Sequence, residues 1–470
     1  MHPSDIRPAP SPWTAPRPGW ACALALALGG CAAPEYPPVP LADDIRPPQA
    51  APAPQARPAT APSPAQDTPL TLDRAVQTAL AADPQIRAGF ENVRQAEADL
   101  VTAGLLPNPE VTADLLMMPW GQPFRPTKQG GPAQTDVFVG FPIDWFLFGK
   151  RAAAIVAAQK GVDVATAQFA DLVRQRIAGT ITAFYDVLEA REQLALARED
   201  LANLSQVQGI VANRVALGGV GTIELDRVRL SIYGAQREVR SRETALAGAL
   251  SRLRAFLGMA GEAPVEVLGD LDVAVPAAPP TPEAAFALAG DNRPDLVALR
   301  RQIAFATAGV DLEETRAYPE VRPSFGYTRQ FQHEMGFPDA DSWNIALQMS
   351  VPVFDRNQGN IAKARSAKTQ AELSLGAQLV TLRAEIEQAV KAYAAARDAL
   401  LLDDPGQLEA AKNVRDKIRA AYELGGKPLI EVLDAQRAYR ETYKLHIASR
   451  SGYWHSLHGL NAAVGKQVLQ

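Results

Sequence analysis

Leu217-Gly218-Gly219-Val220-Gly221-Thr222-Ile223-Glu224 returns 207 residues later as Leu424-Gly425-Gly426-Lys427-Pro428-Leu429-Ile430-Glu431. Adjacent glycines stop a helix, and a carboxylate a few residues on suits the first turn of the next. Each copy therefore reads as the reversal of a helical hairpin. The first hairpin is very long: no proline occurs between Pro142 and Pro264, an interval of 121 residues. Arg151 to Leu217 alone covers 67 residues, about 100 Å of helix at 1.5 Å per residue. Apolar side chains recur there with 4-3-4 spacing, as in Ile177, Ile181, Phe184 and Leu188, and again in Leu246, Leu250, Leu253 and Leu257. That is coiled-coil periodicity.

Working outward, the rest of the body repeats as well. With a shift of 210 residues Asp83-Pro84 meets Arg293-Pro294, Pro109-Glu110-Val111 meets Pro319-Glu320-Val321, and Phe141-Pro142-Ile143 meets Val351-Pro352-Val353. The register then changes to 207, so the second descending helix is three residues shorter, and Asp404-Pro405-Gly406 lies within it. A three-residue deletion overwinds a coiled coil locally, and a bend is expected there. Each repeat opens with a helix of moderate length, Pro84 to Leu106 and Arg293 to Ala317, followed by two alternating segments. In the clearest of these Trp343, Ile345, Leu347, Met349 and Val351 share one face; in another Arg322, Ser324, Gly326 and Thr328 share the polar face. Period-two alternation over about ten residues fits a strand with lipid on one side and water on the other.

The layout that follows is residues 1–30 as a lipoprotein signal, 31–70 as a lipid anchor and Pro/Ala-rich tether, 71–262 as the first repeat, 263–280 as a linker, and 281–465 as the second repeat. Strands are expected at about 109–118 and 135–142, then at 319–331 and 341–352, with helical hairpins at 148–258 and 356–464. The signal rests on Arg7 and Arg17 before the apolar run Ala21 to Leu28, ending in Leu28-Gly29-Gly30-Cys31. That ending looks like a lipobox, which implies cleavage before Cys31 and acylation of its thiol. Residues 32–69 hold 12 of the 38 prolines and cannot form a packed core.

Composition narrows function. With 47 Lys+Arg against 52 Asp+Glu, the chain of 470 residues has a formal charge of −5 and no basic block of the kind a nucleic-acid binder needs. No run approaches the roughly 18 apolar residues of a spanning helix. The two cysteines, Cys22 and Cys31, both fall in the proposed signal and anchor, which leaves no disulfide or thiolate metal site in the body. Gly218-Gly219-Val220-Gly221 follows a helix rather than a strand and is not a phosphate loop. His455 and His458 share a helix face and read as a packed pair rather than a metal site. No catalytic group, metal or cofactor is expected.

The whole body, about residues 70–465, resembles the TolC-like outer-membrane efflux family. The resemblance is carried by Leu106-Pro107-Asn108-Pro109-Glu110, Asn292-Arg293-Pro294-Asp295-Leu296, Val351-Pro352-Val353-Phe354-Asp355-Arg356-Asn357-Gln358-Gly359, Tyr422-Glu423-Leu424-Gly425 and Leu429-Ile430-Glu431-Val432-Leu433-Asp434. Two of these strings are similar to the heavy-metal efflux branch; Trp145-Phe146-Leu147-Phe148-Gly149-Lys150-Arg151 departs from it, where a small acidic or Gly-rich string is expected. The resemblance implies a mainly helical, internally duplicated chain whose homotrimer joins an α-barrel to a twelve-stranded β-barrel. It implies a passive exit duct in the outer membrane that extends into the periplasm. Its partners would be a periplasmic adaptor, an inner-membrane transporter of the RND type and outer-membrane lipid. It further implies a gate at the hairpin tips: Glu431 and Asp434 as acidic rings, with Tyr422, Lys427 and Glu224 as the latch, around the turn glycines Gly218, Gly219, Gly221, Gly425 and Gly426. Two alternatives stay open: an exit duct for secreted polypeptides, and a lipid-anchored periplasmic scaffold with no transport role.

Overall fold

The computed structural model describes residues 69–118, 131–261, 263–273, 276–403 and 405–469. The proposed signal, Cys31 and almost all of the tether lie outside the described residues, as does Asp404. Each repeat opens with two helices rather than one. In the first, α1 (Leu72–Ala82) and α2 (Pro84–Gly104) meet at Asp83, whose side chain accepts from the Gln85 amide at 2.8 Å. Thr71 caps α1, and Pro84 opens α2 where its missing N–H costs nothing. Strands β1 (Glu110–Leu116) and β2 (Ala133–Gly140) follow, then a one-turn helix α3 (Asp144–Leu147).

Helix α4 (Lys150–Ala216) runs unbroken for 67 residues, and α5 (Thr222–Phe256) returns beside it. The second repeat supplies α6 (Pro282–Asn292), α7 (Pro294–Arg316), β3 (Val321–Phe331) and β4 (Ala340–Met349). Its descending helix is broken into α8 (Gln358–Leu402) and α9 (Pro405–Glu423), before the return helix α10 (Leu429–Val464). The interruption falls within the segment between Gly359 and Leu424 over which the repeat register changes by three residues. Asp403 leaves helical geometry there with ψ 76°, and its carboxylate accepts from Ser449 Oγ of α10 at 3.0 Å.

Three apolar clusters hold the helices together. One gathers Phe184, Tyr185 and Leu188 of α4 with Leu253 and Leu257 at the end of α5. The second gathers Leu382, Ile386 and Tyr393 of α8 with Tyr453 and Leu457 of α10. The third, near the turns, joins Val207, Val211 and Val228 of the first hairpin to Tyr422, Leu429 and Val432 of the second.

Among the described residues the four strands form one antiparallel sheet in the order β1-β2-β3-β4. Its register sorts the two faces. Val111, Val139, Phe325 and Ile345 lie in one row across all four strands, and Ala113, Val137, Tyr327 and Trp343 in the next. The opposite face carries the row Asp114, Asp136, Thr328 and Ser342. On that face Thr328 Oγ1 donates to Asp136 at 2.6 Å. Phe138 lies across Gly326, where a Cβ would stand 2.2 Å from the ring. The apolar rows are exposed, Ile345 to 85%. The sheet ends in unpaired edges at β1 and β4.

Candidate functional site: the hairpin turns and the seam above them

Both turns close by the same mechanism. The Gly219 amide donates to Arg214 O at 2.8 Å and the Gly218 amide to Val215 O at 3.0 Å; Gly426 and Gly425 donate in the same pattern to Ala421 and Tyr422. This is a Schellman closure, which requires a positive φ at its first glycine. Gly218 has φ 72° and Gly425 φ 80°, so any side chain at either would strain the turn. Gly221 has ordinary extended geometry and starts α5.

The turns bring the two hairpins together at Tyr422, which is 1% exposed. Its hydroxyl donates to Glu224 Oε2 of the first hairpin at 3.0 Å. From the other side Arg214, the last basic residue of α4, donates to the Tyr422 carbonyl at 2.7 Å, and its guanidinium lies 4.6 Å from the Tyr422 ring centre. Burial, and then the neighbouring Glu224 carboxylate, push the phenol up to about 12. Lys427 does not reach the first hairpin; its ammonium pairs with Glu431 one turn away, at 2.7 Å. Asp434 is exposed and pairs with Arg437 at 3.4 Å. The structure thus brings Tyr422 and Glu224 together across the seam and leaves Lys427, Glu431 and Asp434 on the second hairpin's own surface.

Above the turns the seam is polar at a second level. Fourteen residues up α4 from Arg214, about 21 Å, the buried carboxylate of Asp200 accepts from Gln436 Nε2 at 2.7 Å and faces Arg440 at 3.4 Å. Its neighbour Glu199 accepts from Arg415 at 2.8 Å, and that guanidinium covers the Tyr439 ring at 4.1 Å. Burial opposes the charge on Arg415, but hydrogen bonds to Asp416 and Glu199 more than offset it and hold its pKa above the ordinary arginine value. Burial, then Glu199, push the Tyr439 phenol up to about 12. Sequence reading missed Arg214, Glu199, Asp200, Arg415 and Gln436. Each meets a partner more than 200 residues away, and no local pattern marks such a pair.

The histidine pair packs against α4. His458 stacks on Trp454 at 5.9 Å and approaches Tyr185 at 5.1 Å. Burial, followed by the charge of His455, lowers its pKa to about 4. His455 lies 3.4 Å from Asp186, a carboxylate that is distant in sequence.

The profile of the outer membrane efflux protein family matches residues 75–259 and 286–466, one match on each repeat. The chain is 27% identical over 369 residues to the cobalt-zinc-cadmium resistance protein CzcC of Cupriavidus metallidurans, covering 78% of this chain and 84% of that one. It is 29% identical over 304 residues to the nickel-cobalt-cadmium resistance protein NccC of Alcaligenes xylosoxydans xylosoxydans, covering 63% and 65%. The fold is similar to that of CusC, whose crystal structures concern conformational changes accompanying folding and transmembrane channel formation, with a TM-score of 0.66 at 17% identity over 84% of this chain and 92% of that one. Duplicated hairpins, a two-faced sheet and a profile match on both repeats converge: the chain belongs to the outer membrane efflux protein family.

Proposed function

We propose that the protein is the passive exit duct of a tripartite efflux system in the outer membrane, carrying metal cations or small molecules from the periplasm or an inner-membrane pump to the exterior. The carrying observation is the sheet. Its exposed apolar rows suit lipid, its polar face suits water, and its open edges cannot face a bilayer. Three copies of a four-stranded sheet make a closed barrel of twelve strands, within the range of known outer-membrane barrels. The hairpins of about 100 Å then continue the tube across the periplasm. A homotrimer, a periplasmic adaptor and an RND-type transporter complete the assembly. The protein acts as a conduit and not as an enzyme, so the energy for transport comes from those partners.

The likeness to CzcC and NccC supports metal cations as cargo. The hairpin turns serve as the periplasmic gate: Tyr422, Glu224 and Arg214 clasp the hairpins, and Glu431 and Asp434 are the carboxylates of the acidic rings, which favour cations once their own pairs with Lys427 and Arg437 open. A scaffold would have no use for an exposed row such as Val111, Val139, Phe325 and Ile345.

The test is reconstitution. Purified protein in a planar bilayer should give cation-preferring channels and run as an oligomer on gels unless heated. A monomer without conductance contradicts the reading. Cys31 is read as the acylated residue, holding the body through the tether. Cys31→Ser should lose metabolic acyl labelling while some protein stays in the outer membrane; label retained at the N-terminus of that variant contradicts the anchor.

A further inference from the structure

We propose that Asp403 and His446 form a proton-responsive staple that fastens the break between α8 and α9 to α10, and that charging the imidazole tightens it. The staple itself needs only the fold; its reach to the hairpin turns rests on the gate reading above.

The break leaves α9 weakly tied to the helix before it. The Asp403 amide still donates to Ala399 O and Leu400 O, at 3.1 and 3.2 Å. Pro405, however, opens α9 without an N–H, so the helical ladder cannot run across the junction. Helix α4, unbroken over 67 residues, has no such joint. Side chains of α10 take over. Ser449 Oγ donates to Asp403 Oδ2 at 3.0 Å, His446 Nδ1 stands 2.8 Å from the same oxygen, and Arg450 Nε lies 3.9 Å from it. Duplication does not supply this cluster. With the shift of 207 the first repeat has Val239, Arg242 and Glu243 where the second has His446, Ser449 and Arg450. The cluster occurs only in the repeat that contains the break.

The staple is set short of its full strength. His446 Nδ1 and Arg450 Nε are both buried without a hydrogen bond, although each faces the Asp403 carboxylate. A neutral imidazole donates from one ring nitrogen and accepts at the other, whereas the charged ring donates from both. Charging therefore turns the close approach at Nδ1 into a charge-assisted bond, about twice as strong as a neutral one. Among the described residues, the other charges around the ring come from three elements. Arg450 of α10 pairs with Asp272 of the linker. Helix α4 directs Glu192 and Glu199 at Tyr443, whose ring centre is 6.1 Å from that of His446. Helix α9 adds the uncharged Leu408 and Ala411 to the core alongside. None of these is an imidazole, the side chain that ordinarily changes charge between about pH 5 and 8.

The test is hydrogen exchange on the full-length oligomer, with rates expressed as protection factors so that the chemical pH dependence of exchange cancels. From about pH 8 down to about pH 5, protection across α9 should rise severalfold relative to α5. His446→Gln and Asp403→Asn should each remove that rise. His455→Gln, which alters the imidazole beside Asp186, should keep it. A wild type without the rise overturns the proposal, and so does a rise that survives His446→Gln or Asp403→Asn. The wild-type comparison decides even where a variant does not fold. Single-channel conductance over the same interval reads the gate separately: a protection change with no matching change in conductance supports the staple and counts against the tip gate.

Discussion

At the scale of single residues, the proposed gate rests on a buried tyrosine, Tyr422, held from two sides. The Tyr422 hydroxyl bonds an ionised partner, the stronger class of hydrogen bond, worth about 1.5–3 kcal/mol, whereas exposed ion pairs contribute about 0–1 kcal/mol each. Tyr422→Phe combined with Arg214→Ser should therefore raise single-channel conductance while the protein remains oligomeric. Lys427→Ser alone should change it little, because Lys427 pairs within its own hairpin. An effect of Lys427→Ser as large as that of the double variant would show that Lys427 crosses the seam in the assembled protein. Protonation adds two pH limits. Tyr422 and Tyr439 donate as neutral phenols, with folded pKa values near 12 against an ordinary 10. Their contribution is complete below pH 10 and fades as pH rises from 10 to 12. His458 has the opposite sign. Its folded pKa of about 4 lies below the ordinary 6.5, so stability present above 6.5 is lost as pH falls from 6.5 to 4. His458→Gln should flatten the acid side of a melting-temperature profile; an unchanged slope would mean that another group sets it. Tyr422 and Glu224 were legible in the sequence because the turn glycines mark the place and the family motif marks the residues. Arg214 was not, because its role exists only once the second hairpin docks against it.

At the scale of elements, the repeats solve one problem with opposite charges. Where α1 meets α2, the buried carboxylate of Asp83 accepts from Arg176 of α4 at 2.6 Å. At the equivalent junction of α6 and α7 the buried residue is Arg293, bound to Asp295 at 2.6 Å and to Glu385 of α8 at 2.8 Å. Removing one member of a buried pair strands the other charge, at about 3–5 kcal/mol. Asp83→Ala should lower stability by that order, read from chemical or thermal unfolding. Asp83→Arg with Arg176→Glu should recover part of the loss, because the second repeat already uses that polarity. A double variant no more stable than Asp83→Ala would mean that packing, not charge, governs the junction. The sequence pattern showed α2 and α7 but not the short helices before them. Thr71 and Thr281 cap those helices, and Pro84 and Pro294 end them. A helix of eleven residues carries too few turns for periodicity to stand out. The break between α8 and α9 was legible, since a lost triplet beside a proline cannot continue a regular coiled coil.

At the scale of the molecule, the fold class was readable because the duplication supplies two readings of every element, and weak alternation in β1 gains weight from clear alternation in β4. What the sequence of one chain cannot display is closure, which belongs to several copies. The two faces of the sheet give a first check. Ile345→Arg places a charge in the apolar row and should cost about 2–4 kcal/mol near the bilayer midplane. Gln348→Arg enters the polar face and should cost far less, judged by the yield of heat-resistant oligomer. Equal tolerance of both would remove the assignment of lipid to the apolar face. The most direct measurement addresses the open edges themselves. Cysteines placed singly along β1, at Val111 or Ala113, and along β4, at Trp343, Ile345 or Leu347, can be combined in pairs and oxidised in intact outer membranes. If the β4 edge of one copy meets the β1 edge of the next in a closed ring of three, at least one pair should cross-link into a covalent trimer, with nothing larger. Chains that remain monomeric in every pairing, or a ladder that continues beyond three, would contradict the account.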